Sequence, residues 1–387
     1  MTRSQQLLER AYGAAIDLQR QLLDPLRETF VGKHEVVDVL GVSLVAGEHA
    51  FLLGPPGTAK SAIVNEMTRR LGGNVFSYLL TRFTEPSELF GPFDIRRLRE
   101  GELVTNTEGM LPEASVVFLD ELLNANSAIL NSLLTVLNER IFRRGRETRR
   151  LPLWMVVGAS NHLPEDDALG ALFDRFLLRV VCDNAPDDRL QDVLDAGWQF
   201  ERADRDAAQA GNSVDADCLP RLHAALLEVD LTPMRSTFVK LVEAIRRIGL
   251  SLSDRRAVKL QRVIAASALL AQRSEANSTD LWVLRHIWES DEQRQTLRSL
   301  VDDAIAKGCE RADSRPHPAA VRAQAPDSEE LARDLEAIAA LADDEPGTRA
   351  ADRLRALASR VEWVPDEPQR SELQQRIAEL WRQLRAE

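Results

Sequence analysis

One eight-residue stretch constrains this chain more than any other. Gly54-Pro55-Pro56-Gly57-Thr58-Ala59-Lys60-Ser61 stands between a short apolar run, residues 49–53, and a helical run that opens at Ala62. Glycines in such a loop let backbone N–H groups turn inward around an anion, and the following helix N-terminus adds the positive end of its dipole. Lys60 supplies a point charge for the outer phosphates, and Ser61 is placed to ligate Mg²⁺. At Ala59 the pattern GxxxxGK[ST] would have glycine, so the strand–loop–helix setting carries the reading as much as the letters do. The plain alternative is a glycine-proline turn with a surface lysine.

Around this loop the pattern is that of a parallel sheet. Between Phe30 and Asp183, short apolar runs (HAFLL, VFSYLL, ASVVFLD, LWMVVGAS, FLLRVV) alternate with amphipathic stretches such as SAIVNEMTRRL and NSAILNSLLTVLNER. Strands separated by helices predict an α/β core with helices on both faces. One strand ends in Asp120-Glu121, which suits a metal-holding carboxylate followed by one that polarises a water. Paired acids at a strand end are also common as a solvated turn or cap. Another strand ends in Asn161, able to orient that water or simply to form a turn. Three strand ends thereby converge on one crevice.

Beyond residue 183 the strand-like runs stop and the apolar positions fall at helical spacing, predicting an all-α second domain over 184–310. Residues 311–327 carry three prolines and no apolar period and read as a linker, and residues 328–387 read as a helical tail. Leu373, Ile377, Leu380 and Leu384 form a stripe there, suited to packing within the chain or to an intermolecular coiled coil. Residues 1–29 form an amphipathic helix without the basic and apolar regions of a signal peptide. The 387 residues carry a net charge of −12, which disfavours wholesale binding to nucleic acid or anionic lipid. Cys182, Cys218 and Cys309 are far apart, with no CxxC spacing, as expected of a reducing, cytoplasmic setting. No membrane span is expected.

The order of GPPGTAKS, VVFLDE, GASN and LFDRFLLR resembles the AAA+ ATPases, and the alanine in the loop resembles the MoxR branch. Residues 81–92, TRFTEPSELFGP, and residues 109–114, GMLPEA, look closest to the RavA type of that branch. The resemblance covers about residues 30–290. It implies a P-loop NTPase core over 30–183, an all-α lid, ATP and Mg²⁺ as cofactors, and a hexameric ring. On it, Gly54–Ala62 would bind the nucleotide with Val31 and Gly32 beside the adenine, and Ser61 and Asp120 would hold Mg²⁺. Lys60, Glu121 and Asn161 would act at the γ-phosphate. Arg175, in Phe173-Asp174-Arg175-Phe176, resembles the finger reaching a neighbouring subunit's nucleotide, with Arg179 as runner-up. Arg255, in Ser253-Asp254-Arg255-Arg256, resembles the second-sensor arginine, which would close the lid onto phosphate.

Two insertions bear on what the ATP is used for. Residues 93–109 read as a hairpin-like excursion resembling the helix-2 insert of some AAA+ proteins. Residues 141–152 read as a second hairpin carrying Arg143, Arg144, Arg146, Arg149 and Arg150. Those five guanidiniums would suit a phosphate backbone or an acidic client, or would simply pair with the chain's own acids. Resemblance to the MoxR group implies remodelling or activation of a protein client together with a separate chain carrying a von Willebrand factor A domain. The alternative is a nucleic-acid motor of the helix-2-insert clade, which the acidic charge makes the weaker expectation.

Overall fold

Five parallel strands form the core: β1 (Ala50–Leu53), β2 (Val75–Leu79), β3 (Val116–Asp120), β6 (Met155–Ser160) and β7 (Leu178–Val181), in the order β2-β3-β6-β1-β7. A separate antiparallel hairpin, β4 (Ile141–Arg144) with β5 (Glu147–Arg150), stands between β3 and β6 in sequence. The computed structural model describes residues 3–99, 103–144, 147–164, 167–185, 189–206, 214–215, 217–309, 317, 319–320, 332, 335 and 367–384. The middle strands β1 and β6 are buried throughout, which explains why they read as unbroken apolar runs with no alternation. The edge strand β2 exposes alternate residues.

Helices flank the sheet. Ahead of β1 come α1 (Arg3–Leu18), a five-residue π-helical stretch (Gln19–Leu23), α2 (Asp24–Thr29) and α3 (His34–Ala46). Helix α3 is apolar almost all round, the mark of a helix with no wet face, and is buried accordingly. After β1 runs α4 (Lys60–Leu71), and after β2 come α5 (Pro86–Phe90) and α6 (Ile95–Arg99). The excursion at 93–109 is tied by an antiparallel bridge between Phe93 and Thr105 and by the Asp94 N–H on the Val104 carbonyl. Helices α7 (Ser127–Glu139) and α8 (Asp167–Phe173) lead into β6's and β7's neighbourhood, with Asn126 capping α7 through its side chain.

From β7 onward the chain is helical: α9 (Leu190–Asp206), α10 (Cys218–Ala225), α11 (Thr232–Arg247), α12 (Asp254–Leu270), a 3₁₀ segment (Ser278–His286) and α13 (Asp291–Cys309). This lid module is fastened to the core rather than hinged from it. Helix α12 packs on α3, and α1 packs on α10 and α12. Polar ties add to this: Lys259 with Glu48 at 2.6 Å, the buried Cys218 thiol on the Ala14 carbonyl at 3.2 Å, and His223 Nε2 with the Leu44 carbonyl at 3.1 Å. Residues 1–317 accordingly make one compact unit, and residues 318–387 make another, so the chain divides inside the proline-rich stretch. In the second unit α14 (Glu367–Leu384) buries Leu373 and Ile377 and half-buries Leu380. That burial places the stripe inside the chain's own packing; the Leu384 side chain and most of residues 311–366 lie outside the described residues. Among the described residues no helix is long and apolar enough to cross a membrane.

Candidate functional site

The loop between β1 and α4 is built from local backbone demands. Gly57 has φ +84°, and a Cβ on Gly54 would sit 2.2 Å from the Cys182 carbonyl oxygen, so both positions need glycine. Ala59 is left-handed too, at φ 66°, and here a Cβ is carried where one is disfavoured by about 1–2 kcal/mol. The loop is braced by the Gly54 N–H on the Ser160 carbonyl (3.0 Å) and by Thr58 Oγ1 on the Pro55 carbonyl (2.9 Å). Lys60 is only 6% exposed. Its Nζ donates to the Gly54 carbonyl at 2.6 Å and the Pro55 carbonyl at 2.8 Å, leaving one of three N–H groups over. Among the described residues no carboxylate stands within ion-pair reach of it. A buried cation without a counter-charge at the N-terminus of a twelve-residue helix calls for an anion.

Strand pairing brings the acids to the same edge. Leu53 pairs with Ser160, and Leu119 pairs with Gly158, so β1, β6 and β3 end together. Ser61 Oγ lies 3.4 Å from Asp120 Oδ2, close to the ~3 Å between adjacent oxygens on an octahedral Mg²⁺ with ~2.1 Å bonds. Glu121 sits at φ 50°, its N–H on Asp120 Oδ1 at 3.0 Å, so the chain turns sharply at the end of β3. Asn161 follows the last residue of β6 and is exposed, one residue past the bond that holds the loop. Val31 and Gly32 reach this edge as well: the neighbouring Lys33 is buried with its ammonium on the Asp183 carbonyl, just beyond β7, and Phe30 meets Phe200 of α9 at 5.7 Å.

The arginines lie elsewhere. Arg175 is in the turn before β7, whose first residue pairs with Ala50 at the start of β1. It is 30% exposed, with Nη1 3.2 Å from Asp174. Arg255 is exposed at the start of α12, its Nη2 3.4 Å from Asn138 Oδ1 at the far end of α7. That end is fixed by Arg140, which donates to the carbonyls of Gly47 and Trp154, ahead of β1 and β6. Both residues therefore sit at the strands' starting edge, a strand length of roughly 13 Å from the Gly54–Ser61 loop of the same chain. Arg179 is wholly buried. Its guanidinium donates to the carbonyls of Ile287 (3.2 Å), Trp288 (2.5 Å) and Phe173 (3.2 Å) and lies 4.1 Å over the Phe173 ring. Burial, and then the nearby Arg256, depress its pKa to about 9.

With this geometry, likeness to known proteins becomes informative. Residues 17–223 match the model of the MoxR domain in the MoxR-vWA-beta-propeller ternary systems, and residues 236–301 match an AAA lid domain. The chain belongs to the MoxR-type AAA+ ATPases. An uncharacterised protein of Methanocaldococcus jannaschii is 34% identical over 276 residues, covering 70% of this chain and 72% of that one. The chaperone MoxR1 of Mycobacterium tuberculosis is 28% identical over 42% of this chain and 43% of its own. A solved structure from Cytophaga hutchinsonii, described as a candidate ATPase, shares the fold at TM-score 0.59 with 18% identity, covering 77% of this chain and 96% of that one.

As a MoxR-type chain, its residues fit a Mg²⁺-nucleotide: a buried unpaired lysine, a Ser61–Asp120 pair at ligand spacing, and, among the described residues, no group of three or more His, Cys, Asp or Glu that would hold a metal without phosphate oxygens. Two expectations change. Arg179 is no runner-up for the finger, because its guanidinium is spent inside the protein holding β7 to the lid. Arg255 stands beside Asn138 at the strands' starting edge, and not next to the Gly54–Ser61 loop of its own chain. Sequence reasoning also missed Lys33 and Cys182. Cys182 backs the loop through its carbonyl against Gly54 and its thiol on the Thr58 carbonyl at 3.2 Å, yet no local pattern marks it. In the arginine hairpin, Arg143 pairs with Glu139 at 3.0 Å and Arg149 with Glu113 at 3.7 Å, as a self-neutralised hairpin would; Arg146 and the Arg144 side chain lie outside the described residues.

Proposed function

We propose that this chain is an ATP-hydrolysing remodeller of a protein complex, assembled head-to-tail into a ring whose active sites are shared between subunits. The observation that carries the reading is the separation of the Lys60–Asp120–Glu121–Asn161 edge from Arg175 and Arg255 by the length of the sheet. Each chain then offers a nucleotide site at one edge and arginines at the other, and only a second copy brings the two together. Asp120 and Ser61 would hold Mg²⁺, Glu121 would take the proton of the attacking water, Asn161 would orient it, and Val31 and Gly32 would flank the base. Arg175 would meet charge on the neighbour's γ-phosphate, with Arg255 beside it, an arrangement worth about 10³–10⁵ in rate for the finger alone.

Because the lid is fastened to the core, the motion that nucleotide drives falls between subunits and not within one. The matching family model, named for MoxR-vWA-beta-propeller systems, supports a von Willebrand factor A domain chain, and with it a propeller chain, as partners. Likeness of residues 81–92 to the RavA type is the ground for a RavA-like subclass, and hexamer stoichiometry and a cytoplasmic setting follow the family expectation. The paired arginines of the β4–β5 hairpin give a nucleic-acid motor no support of their own.

The test is complementation by mixing. Lys60→Ala and Arg175→Ala should each lower steady-state ATP turnover by at least about a hundredfold. An equimolar mixture should recover a fraction of wild-type activity, because some interfaces then join an intact nucleotide edge to an intact arginine edge. Recovery of nothing, with both variants assembling, would sink the shared-site reading.

A further inference from the structure

Among the described residues, helix α9 presents an apolar stripe at the surface, with the Arg202 guanidinium 5.7 Å from the Trp198 ring centroid at one end of it. Leu190, Leu194 and Trp198 recur every fourth residue and are 55%, 64% and 61% exposed, while Val193 and Phe200 turn inward. Exposure of three large apolar side chains in one row is costly in water, and such rows mark interaction surfaces. The helix lies at the nucleotide edge, since Phe200 packs on Phe30 beside Val31 and Gly32. Residues 190–202 carry three carboxylates, Asp192, Asp195 and Glu201, against the one guanidinium of Arg202.

The opposite edge is its complement in charge and polarity. On α12, Val258 is 61% exposed on the same side of the helix as Arg255 and Arg262. Arg140 and Arg262 both approach the Gly47 position to within 4 Å, and Arg262 and Arg150 lie near enough to Arg140 to add to the lowering of its pKa that burial causes. Among the described residues this face of a net-negative chain presents Val258 with Arg255 and Arg262, and its exposed Asp254 is paired with Arg246 at 2.7 Å, so the edge that bears Arg175 and Arg255 stays net basic.

We infer that α9 of one copy docks, through Leu190, Leu194 and Trp198, onto the Val258–Arg262 face of α12 and the adjoining Arg150 of the next copy. This rests on the shared-site reading, which requires the two edges to meet, and adds the surfaces that hold them together. The contact is heterologous: each copy gives α9 to one neighbour and receives α9 from the other, so it closes a ring or runs on as a filament. Apolar burial at the centre supplies affinity, and the acidic rim of α9 against guanidiniums sets the direction of approach.

The direction of the contact makes a sharp test. Leu194→Asp with Trp198→Asp spoils the α9 face alone, and Val258→Asp with Arg262→Glu spoils the α12 face alone. All four positions are exposed, so both variants should keep wild-type circular dichroism; Trp198→Ser and Arg262→Gln are milder substitutes expected to weaken assembly about tenfold. With ATP and Mg²⁺ in sedimentation velocity, the wild-type full chain should assemble and each double variant should stay monomeric. Their equimolar mixture should form a dimer and stop there, since only one good pair of faces remains. In that dimer, adding Arg175→Ala to the α9 variant should abolish turnover, whereas adding it to the α12 variant should change nothing. Double variants that assemble like wild type, or a mixture that stays monomeric, overturn the docking. A dimer whose turnover ignores Arg175 on either chain overturns the shared-site reading and leaves the docking standing. A wild-type chain that stays monomeric with ATP overturns both.

Discussion

Ala59 shows at the scale of one residue how a motif is realised by backbone geometry and not by letters. Its φ of 66° is the conformation that a glycine adopts freely, so the loop keeps its shape while the alanine is strained. Ala59→Gly should therefore leave nucleotide affinity within a few-fold and change stability by less than about 1 kcal/mol, because relief of strain is offset by the extra freedom of glycine in the unfolded chain. Thermal melting and a nucleotide titration would check it, and a large loss of affinity would mean that the methyl group itself shapes the site. Gly54→Ala is the contrasting case. Its Cβ would meet the Cys182 carbonyl at 2.2 Å, a backbone atom that cannot step aside, so the loop should lose both nucleotide binding and part of its stability. The residues nearest the loop were legible because the demands they answer are local: a turn, a helix start, a charge beside it.

Between elements, the decisive contacts are buried arginines that no local pattern announces. Arg179 ties β7 to the carbonyls of Ile287 and Trp288, and Arg256, 4% exposed, reaches Glu289 at 2.6 Å and Asp174 at 3.2 Å. Removing Arg179 leaves the Ile287, Trp288 and Phe173 carbonyls buried without that donor, a loss on the order of 3 kcal/mol. Arg179→Met should then lower the melting temperature and the denaturant midpoint without changing how an assembled site binds nucleotide. Wild-type core and lid should unfold in a single calorimetric transition, since α12, α3 and α1 share one interior. Two separated transitions would contradict that fastening. Strands and helices themselves were readable from periodicity; the edge against which α12 would pack was not, because any apolar helix face satisfies the pattern.

Across the whole molecule, buried histidines couple the fold to pH. Burial, with Arg140 and Lys259 nearby, pushes His49 down to about 3, and burial pushes His286 down to about 4 despite Glu35, with Arg285 and Arg298 acting in the same downward direction. His49 is neutral by design of its surroundings, receiving the Val156 N–H at 3.1 Å on Nδ1 and meeting the Leu137 carbonyl at 3.1 Å through Nε2. As pH falls below about 6.5, the unfolded chain takes up protons that the folded chain refuses. Stability should be flat near neutrality and drop below pH 6.5, by up to about 1.4 kcal/mol per pH unit for each histidine, until the folded values near 4 and 3 are reached. Urea midpoints across pH 7.5–4.5 would test this, and His49→Gln should flatten the slope. By itself the sequence determined the α/β core, the strand–loop–helix that carries Lys60, the acids at a strand end and the succession of core, lid and helical C-terminus, because each is written in contiguous residues that answer to their neighbours. Tertiary structure alone decided that α12 of the lid packs on α3, that Arg179 is a buried clasp, and that Arg175 and Arg255 stand a strand length from the Gly54–Ser61 loop of their own chain. Those outcomes depend on which distant surfaces exclude water together, and no stretch of neighbouring residues encodes that choice.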